Sequence, residues 1–395
     1  MVDVFIRWTR LRAVLHNGWW LVTSVYLVVD AGLSPAELVL VGSVQSAFAL
    51  VFEVPAGVVA DTISRKWSLV LSQVLMGTAM IATGLVESFP ALLATQVLWG
   101  VSWTFASGSD VALITDELDR PGEINLVLAR AARAQLTGAA TGLVVLGGLA
   151  WATRRDVTIV VAGAAMLSLA LYVAFRFTEH NFVPTRSARW SASWSTFRRG
   201  VTLVRRSRAI LLIFAATFLV NGASDAAGRL TPKQLLDLGL PTAPDPIVWF
   251  TALGVLGLLV GAVVLRLVTQ RINGSHTATD YALAALAGVL SMLLLAFARD
   301  PALGAAAVVL LNGIVTPLTR VISTIWLNTR TTPDIRATTH AFLAQLEYLG
   351  EITCGAVISA IARLTTVSLA LTACAALFAV TAVLMRQLTS DEATG

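Results

Sequence analysis

The sequence predicts an all-α, polytopic membrane protein with twelve transmembrane helices, arranged as two bundles of six. Of its 395 residues, 56% are hydrophobic and only 13% are charged, whereas a soluble domain carries about 25% charged residues. The mean hydropathy is correspondingly high, at +0.78. Apolar residues recur in runs of roughly 20, the length that crosses about 30 Å of hydrocarbon. Such runs must be helical in lipid, because backbone polar groups find no water there.

Twelve apolar runs follow one another along the chain, each bounded by charged or turn-forming residues. In order, the predicted spans are residues 14–31, 37–60, 67–87, 91–117, 129–152, 157–177, 209–229, 246–268, 278–298, 302–327, 337–361 and 365–386. The first run ends at Asp30 without a small-residue cleavage pattern, so we expect an uncleaved first span.

The basic residues are distributed unevenly between the two sides of these spans. One side holds 21 of the 28 Lys and Arg residues and the other holds six, with Arg320 inside a span. Cytoplasmic loops are enriched in Lys and Arg, so both termini are expected in the cytoplasm. The same bias accounts for a pI of 9.7 without a nucleic-acid partner. Arginine exceeds lysine 26 to 2, which favours a GC-rich bacterial source and therefore the bacterial inner membrane.

The longest inner connection, residues 178–208, divides the spans six and six. It predicts an N-terminal bundle over residues 1–177 and a C-terminal bundle over residues 209–395. Seven of its residues are arginine, and they are interleaved with Trp190, Trp194 and Phe197. The segment is either an amphipathic helix on anionic lipid or a solvated linker. In both cases it joins the two halves.

The two halves are faintly similar in sequence. Leu98-Trp99-Gly100 in the fourth span corresponds to Leu311-Asn312-Gly313 in the tenth, and a polar stretch follows each. This similarity indicates either an internal repeat, which is common in transporters, or chance likeness among helices rich in Ala, Leu and Gly.

The loop between the second and third spans concentrates charge where charge is costly. It runs from Gly57 to Lys66 and carries Asp61, Arg65 and Lys66. Gly57 permits close helix contact. Asp61 can pair with an arginine or cap a facing helix N-terminus, and such a contact can hold one conformational state and break in another. The bias of cytoplasmic loops toward Lys and Arg is enough to explain Arg65 and Lys66, but it does not explain Asp61.

This loop resembles the signature loop of the major facilitator superfamily of secondary transporters. That pattern has Gly, three residues and Asp, and it ends in two basic residues; Thr62 and Ser64 stand where it usually has a cation and a glycine. The resemblance implies that fold. It also implies a conformational latch formed by Gly57, Asp61, Arg65 and Lys66.

Two further segments resemble the bacterial drug:proton antiporter-like branch of that superfamily. They are the lead-in from Phe52 to Gly57 and the Arg336-Ala337-Thr338 start of the eleventh span. The resemblance implies multidrug efflux, the export of a hydrophobic or amphipathic compound in exchange for protons. One position departs from it, because Gln96 stands where such exporters often carry an arginine in the fourth span.

Ionisable residues inside spans are costly and mark candidate proton-coupling sites. The eleventh span carries His340, Glu347 and Glu351, whose spacings of seven and eleven residues place them on one helical face. Glu347 and Glu351 are one turn apart, and their repulsion in poor solvation favours a carboxyl that takes up and releases a proton. Fixed salt bridges or hydrogen bonds are the alternative.

A second group of charges lies in the inner halves of the second, fourth and tenth spans. It comprises Glu53, Asp110 and Arg320. If the three converge, Arg320 holds one carboxylate ionised and leaves the other to exchange a proton; a static ion-pair network is the alternative.

Polar and aromatic residues within the spans are candidates for a substrate cavity. These are Asn17, Trp20, Trp103, Asn221 and Asn312. Asparagine and ring faces suit an amphipathic organic molecule, although such rings also pack against neighbouring helices or lipid.

Several function classes lack their motifs in this sequence. There is no phosphate-binding loop for ATP, no metal-ligand spacing and no nucleophile elbow. We therefore expect no enzyme activity, no cofactor or metal, and a monomer whose partners are a small-molecule substrate, protons and membrane lipid. The alternatives are proton-coupled uptake of a metabolite or lipid-like cargo, and a non-transporting receptor.

Overall fold

The computed structural model of the chain describes residues 1–118, 121–184, 208–268, 277–331 and 333–394. The arginines and aromatic residues predicted to form a basic linker lie between residues 185 and 207, apart from Arg208, and therefore fall outside the described residues. The side chain of Arg336, which contributed to the exporter resemblance, is also outside them.

Twelve long helices make up the fold, and no strand occurs among the described residues. In chain order they are α1 Val2–Val29, α2 Pro35–Thr62, α3 Arg65–Leu85, α4 Phe89–Asp116, α5 Ile124–Ala152, α6 Arg155–Arg176, α7 Arg208–Asp237, α8 Pro246–Val268, α9 Thr277–Phe297, α10 Pro301–Arg330, α11 Pro333–Leu364 and α12 Val367–Thr394. A single 3₁₀ turn, Pro121–Glu123, precedes α5. The predicted all-α fold class is confirmed.

Within the described part of the chain, eleven of these helices are long and apolar enough to cross a membrane. The exception is α1, which is 28 residues long but carries His16 and Asn17 in its middle. These polar residues lower its hydropathy, and they line a pocket described below.

Two helices are interrupted, and the sequence did not predict either interruption. Helix α4 breaks at Ser107 and Gly108, where Gly108 has a φ of +72°, a conformation that favours glycine. Helix α10 contains a π-helical turn over Leu311–Val315, which includes Asn312. Such turns are frequent at functional sites.

The described residues form two compact units. The first draws on Met1–Gly32, Ala47–Trp190 and Ala243–Thr251; the second draws on Leu33–Ser46, Ser191–Thr242 and Ala252–Gly395. In the first unit α1 packs on α5 and α3 packs on α6. In the second unit α7 packs on α11 and α9 packs on α12, so the first helix of each half pairs with its fifth and the third with its sixth. The predicted domain division at residues 178–208 stays a prediction.

Glycines allow the backbones of these paired helices to meet. A β-carbon on Gly142 of α5 would lie 2.1 Å from the Val14 carbonyl oxygen of α1. In the second unit a β-carbon on Gly350 of α11 would lie 2.1 Å from the Phe218 carbonyl oxygen of α7. Small residues at such crossings are the usual device for tight helix packing in lipid.

Candidate functional site

Glu351 of α11 is hydrogen-bonded to two serines of α2 within the second unit. Its carboxylate accepts a 2.5 Å hydrogen bond from the Ser46 hydroxyl of α2. The Ser43 hydroxyl, one turn earlier in α2, donates to the Glu351 backbone carbonyl at 3.2 Å. A hydroxyl bonded to a carboxylate is a strong, charge-assisted contact that also fixes the direction of the side chain.

An ion pair between Asp225 and Arg229 lies beside this carboxyl. Arg229 Nε donates to Asp225 at 2.9 Å, and its Nη2 donates to Gln45 of α2 at 3.4 Å. The Arg229 side chain is only 9% exposed. Glu351 lies within electrostatic range of both members of the pair.

Gly42 brings α2 close to this ion pair. A β-carbon on Gly42 would lie 2.0 Å from Arg229 Nε. The guanidinium therefore occupies the space that any larger residue at position 42 would take.

Glu347 lies one turn before Glu351 but in different surroundings. It lines a small pocket of about 40 Å³, together with Asn221, Tyr281 and Arg320. The Asn221 amide donates to the Thr217 carbonyl oxygen at 2.9 Å. The two carboxyls of α11 are thus distinct: one faces an open pocket with a cation on its wall, and the other is held in a network.

The third ionisable residue of α11 contacts a different helix. His340 Nε2 lies 2.8 Å from the side-chain oxygen of Asn328 in α10. The sequence placed His340, Glu347 and Glu351 on one face, and each has its own set of partners in the structure.

The segment from Gly57 to Lys66, predicted as a loop, comprises the end of α2, a short connection at Ile63 and Ser64 and the start of α3. It carries a charge network of the first unit. Arg65 pairs with Asp61 at 3.4 Å, ion-pairs with Asp116 and donates to the Ala112 carbonyl oxygen at 3.1 Å. Among the residues that the structure describes, no atom lies within 4 Å of a β-carbon added to Gly57, and the close helix contact predicted there stays a prediction.

Glu179 caps the start of α3 from beyond the end of α6. Its carboxylate accepts hydrogen bonds from the Ser64 hydroxyl, from the Arg65 amide at 2.7 Å and from the Lys66 amide at 3.2 Å. A carboxylate at a helix N-terminus satisfies free amides and favours the helix dipole. The sequence analysis did not identify Glu179, because it lies more than 110 positions from the residues that it contacts.

The other predicted charges of the first unit have local partners. Glu53 Oε1 accepts a hydrogen bond from the Ser107 hydroxyl at 3.0 Å, and Asp110 accepts one from the Val111 amide at 2.8 Å. Gln96 is buried and donates to Thr83 at 3.3 Å. The convergence of Glu53, Asp110 and Arg320 stays a prediction.

An aromatic cluster joins α1 to α4. The His16 ring lies 5.3 Å from the rings of both Trp99 and Trp103, and Trp20 lies 5.7 Å from Trp99. The Asn17 amide, on the same helix, donates to the Ala13 carbonyl oxygen at 2.9 Å. Trp103, His16 and Asn17 line one pocket.

The remaining substrate candidate, Asn312, is exposed within the π-helical turn of α10.

Among the residues described, no group of three or more His, Cys, Asp or Glu side chains is arranged to hold a metal ion.

Arg12 is a second residue that was not identified as a site residue from the sequence. It was counted among the cations of the cytoplasmic side. Its guanidinium lies 4.8 Å over the Trp103 ring and 5.4 Å over the Trp8 ring. The spacing of Trp8, Arg12 and His16, four residues apart each time, is the signal that could have placed the three on one face of α1.

Comparisons with known proteins address the whole chain. The family model described as Major Facilitator Superfamily matches residues 12–355. No protein of curated function matches the sequence.

Solved structures match over nearly the full length. A mutant of the nucleoside transporter NupG has a TM-score of 0.83 at 14% identity, covering 98% of this chain and 99% of that one. NupG itself has a TM-score of 0.80 at 15% identity, covering 98% of each chain. A POT family transporter in complex with 5-aminolevulinic acid has a TM-score of 0.76 at 10% identity, covering 99% of this chain and 96% of that one. At these identities the likeness establishes the fold.

Proposed function

The chain belongs to the major facilitator superfamily, and we propose that it is a proton-coupled secondary transporter that exports an amphipathic small molecule. The family makes it a transporter rather than an enzyme, and its helices make it an integral, multi-pass membrane protein. Proton coupling, export and the chemistry of the substrate are the proposed parts.

The observation that carries proton coupling is the environment of Glu351. Ser46 can donate to Glu351 when it is a carboxylate and accept from it when it is a carboxylic acid, and the carboxyl lies beside the Asp225–Arg229 pair. Protonation weakens the attraction between Glu351 and Arg229, which also contacts Gln45 of α2. Proton uptake at Glu351 would therefore loosen the contact of α2 with α7 and α11.

Glu347 is proposed to pass protons between this network and the pocket, and Arg320 to favour its charged form. Glu347 lies one turn from Glu351 and lines the pocket with Arg320 and Asn221. His340, Glu53 and Asp110 remain secondary candidates. A membrane carboxyl that is both near a cation and accessible to a pocket is the arrangement that proton relays use.

The proposed latch consists of Asp61, Arg65 and Lys66 with their partners. Arg65 joins the loop to α4 through Asp116, and Glu179 holds the start of α3. Release of these contacts would free the cytoplasmic end of the first unit during alternating access. Gly57 is proposed to give room for that movement.

The charge distribution supports the proposed orientation, with both termini in the cytoplasm of a bacterial inner membrane. Export is proposed from the resemblance of the Phe52–Gly57 segment to drug exporters. The experiment below also detects the opposite direction.

Everted vesicles test the proposal directly. Respiration acidifies their interior, and an exported compound that exchanges for protons dissipates the pH gradient when it is added. We expect wild type to dissipate the gradient for at least one amphipathic compound, Glu351→Gln to lose the signal, and Glu87→Gln, an exposed carboxyl, to keep it. A compound that enters right-side-out cells together with protons would replace export by uptake. Binding without any proton signal would indicate a receptor.

A further inference from the structure

Helices α1 and α4 line a pocket in the first unit that is separate from the network of Glu351, and only Asp110 among its residues is also a secondary proton-coupling candidate. The pocket has a cavity volume of about 260 Å³, slightly below the roughly 300 Å³ at which typical small-molecule sites begin, so it suits a compact organic molecule. Its wall carries Trp8, Arg12, His16, Trp103 and Asp110. The break of α4 at Ser107 and Gly108 forms another part of the wall.

The wall of this pocket holds several buried donors that have no acceptor. Arg12 Nε and Nη2, Trp8 Nε1 and His16 Nδ1 are buried and lack a hydrogen-bond partner among the residues that the structure describes. Buried polar atoms of folded proteins are nearly always hydrogen-bonded, so a group of unpaired ones in a single pocket indicates a missing acceptor. Three of these atoms can only donate, which requires a ligand that accepts.

The position of Arg12 prepares it for an anion. Its guanidinium lies over the faces of Trp103 and Trp8, at 4.8 and 5.4 Å. The two rings confine the guanidinium, whose buried Nε and Nη2 atoms lack a hydrogen-bond partner among the described residues. A guanidinium binds a carboxylate through two parallel hydrogen bonds.

The aromatic cluster next to Arg12 supplies an apolar surface. His16 lies 5.3 Å from Trp99 and from Trp103, and the rings of Trp99 and Trp103 are stacked at 5.9 Å. Flat ligand rings are accommodated by such a wall. The combination selects a molecule with an anionic end and a flat apolar body.

Asp110 limits the charge of that molecule. Its carboxylate lies within electrostatic range of Arg12 and accepts a hydrogen bond from the Val111 amide at 2.8 Å. Arg12 and Asp110 together leave the pocket close to neutral, so a monoanion is favoured over a dianion.

We propose that this pocket, referred to as the α1/α4 pocket, binds a flat-ring organic monocarboxylate, with Arg12 pairing with the carboxylate and Trp103, which stacks on Trp99, contacting the ring. The inference rests on the proposed transport function, because it names the substrate class. Binding does not need a proton gradient, so it is tested separately from coupling.

The test measures equilibrium binding of tritiated 1-naphthoate to purified protein in nanodiscs by scintillation proximity. We expect saturable binding to wild type, competition by unlabelled 1-naphthoate, and at least tenfold weaker competition by 1-naphthamide or 1-naphthylmethylammonium. Arg12→Gln should weaken binding of 1-naphthoate at least tenfold, and Arg12→Lys, which keeps the charge without the planar fork, should weaken it less. Arg7→Gln, an exposed arginine of the same helix, is the matched control.

Asp110→Asn distinguishes an electrostatic contribution to ligand binding from a purely structural role of the pocket residues. Removing the carboxylate should tighten binding of 1-naphthoate severalfold and leave 1-naphthamide unaffected. The proposal is overturned if wild type does not bind 1-naphthoate, or if the ammonium analogue competes equally well. It is also overturned if folded Arg12→Gln and Arg12→Lys both bind like wild type. Retained binding in Glu351→Gln with lost coupling would leave it intact.

Discussion

Ser46 in α2 and Glu351 in α11, 305 positions apart in sequence, share a hydrogen bond of 2.5 Å. It joins the first part of α2 to the helix that carries both membrane carboxyls of the proposed proton site. Ser43 makes a parallel contact one turn away, but to the backbone of Glu351. Comparing Ser46 with Ser43 therefore separates the contribution of the Glu351 carboxylate from that of the packing between α2 and α11.

Ser46→Ala should impair coupling while Ser43→Ala does not. A hydrogen bond to a charged group contributes about 1.5–3 kcal/mol, and about 1.4 kcal/mol corresponds to a factor of ten. We expect proton-gradient-driven transport to fall about tenfold in Ser46→Ala and to stay within about twofold of wild type in Ser43→Ala, measured as initial rates in proteoliposomes. Equal losses in both variants would mean that the contact serves packing alone.

Gly142→Ala should destabilise the first unit, because its β-carbon would lie 2.1 Å from the Val14 carbonyl oxygen. Overpacking of this kind costs about 1–3 kcal/mol. Gly148→Ala, in the same helix, is the matched control, because its β-carbon would meet no atom of the described residues within 4 Å. Thermal unfolding in detergent should show a lower Tm for Gly142→Ala only. An unchanged Tm for Gly142→Ala would contradict the close α1–α5 crossing.

Glu179→Gln should weaken the start of α3. The carboxylate accepts from the Ser64 hydroxyl and from two backbone amides, and loss of a capping group costs about 0.5–2 kcal/mol. Asp3→Asn removes an exposed carboxylate whose pair with Arg130 is expected to contribute little. Hydrogen exchange of the first turn of α3 should accelerate in Glu179→Gln and remain unchanged in Asp3→Asn. Unaltered protection in both would exclude the cap as a stabilising contact.

Arg155→Gln should lower stability more than Arg154→Gln. Arg155 is 11% exposed and joins Asp30, at 2.5 Å, to Asp245, at 2.8 Å. Arg154 is 76% exposed and forms an ion pair with Asp156. Removing the shared cation leaves two carboxylates facing each other, while an exposed pair contributes about 0–1 kcal/mol. Thermal unfolding should show a drop in Tm for Arg155→Gln alone, and equal shifts would contradict the bridging role.

The helices could be predicted from the sequence because each one is specified by a single continuous apolar run. Each apolar run specifies its own backbone hydrogen bonds in lipid, and the observed helices differ from the predicted spans mainly at their ends. Helix α7, for example, continues to Asp237 rather than ending at residue 229, because polar residues also continue a helix beyond the hydrocarbon. The break at Gly108 and the π-helical turn at Asn312 could not be predicted, since neither interrupts the hydropathy.

The partners of the candidate residues depend on contacts that are distant in sequence. Glu347 and Glu351 were identifiable as ionisable groups in an apolar run, but nothing near them indicates Ser46 or Gln45. Arg12 was not identifiable as a site residue, because the positive-inside bias already accounts for a basic residue at this end of α1. Its position over the rings of Trp8 and Trp103 depends on a contact with another helix.

The central claim is that Glu351 carries the proton, and exchange in proteoliposomes tests it most directly. Once a transported compound is identified in vesicles, its exchange at equal pH on both sides is compared with its transport driven by a pH gradient. We predict that Glu351→Gln retains exchange near the wild-type rate and loses gradient-driven accumulation. Accumulation by Glu351→Gln equal to that of wild type would contradict the claim.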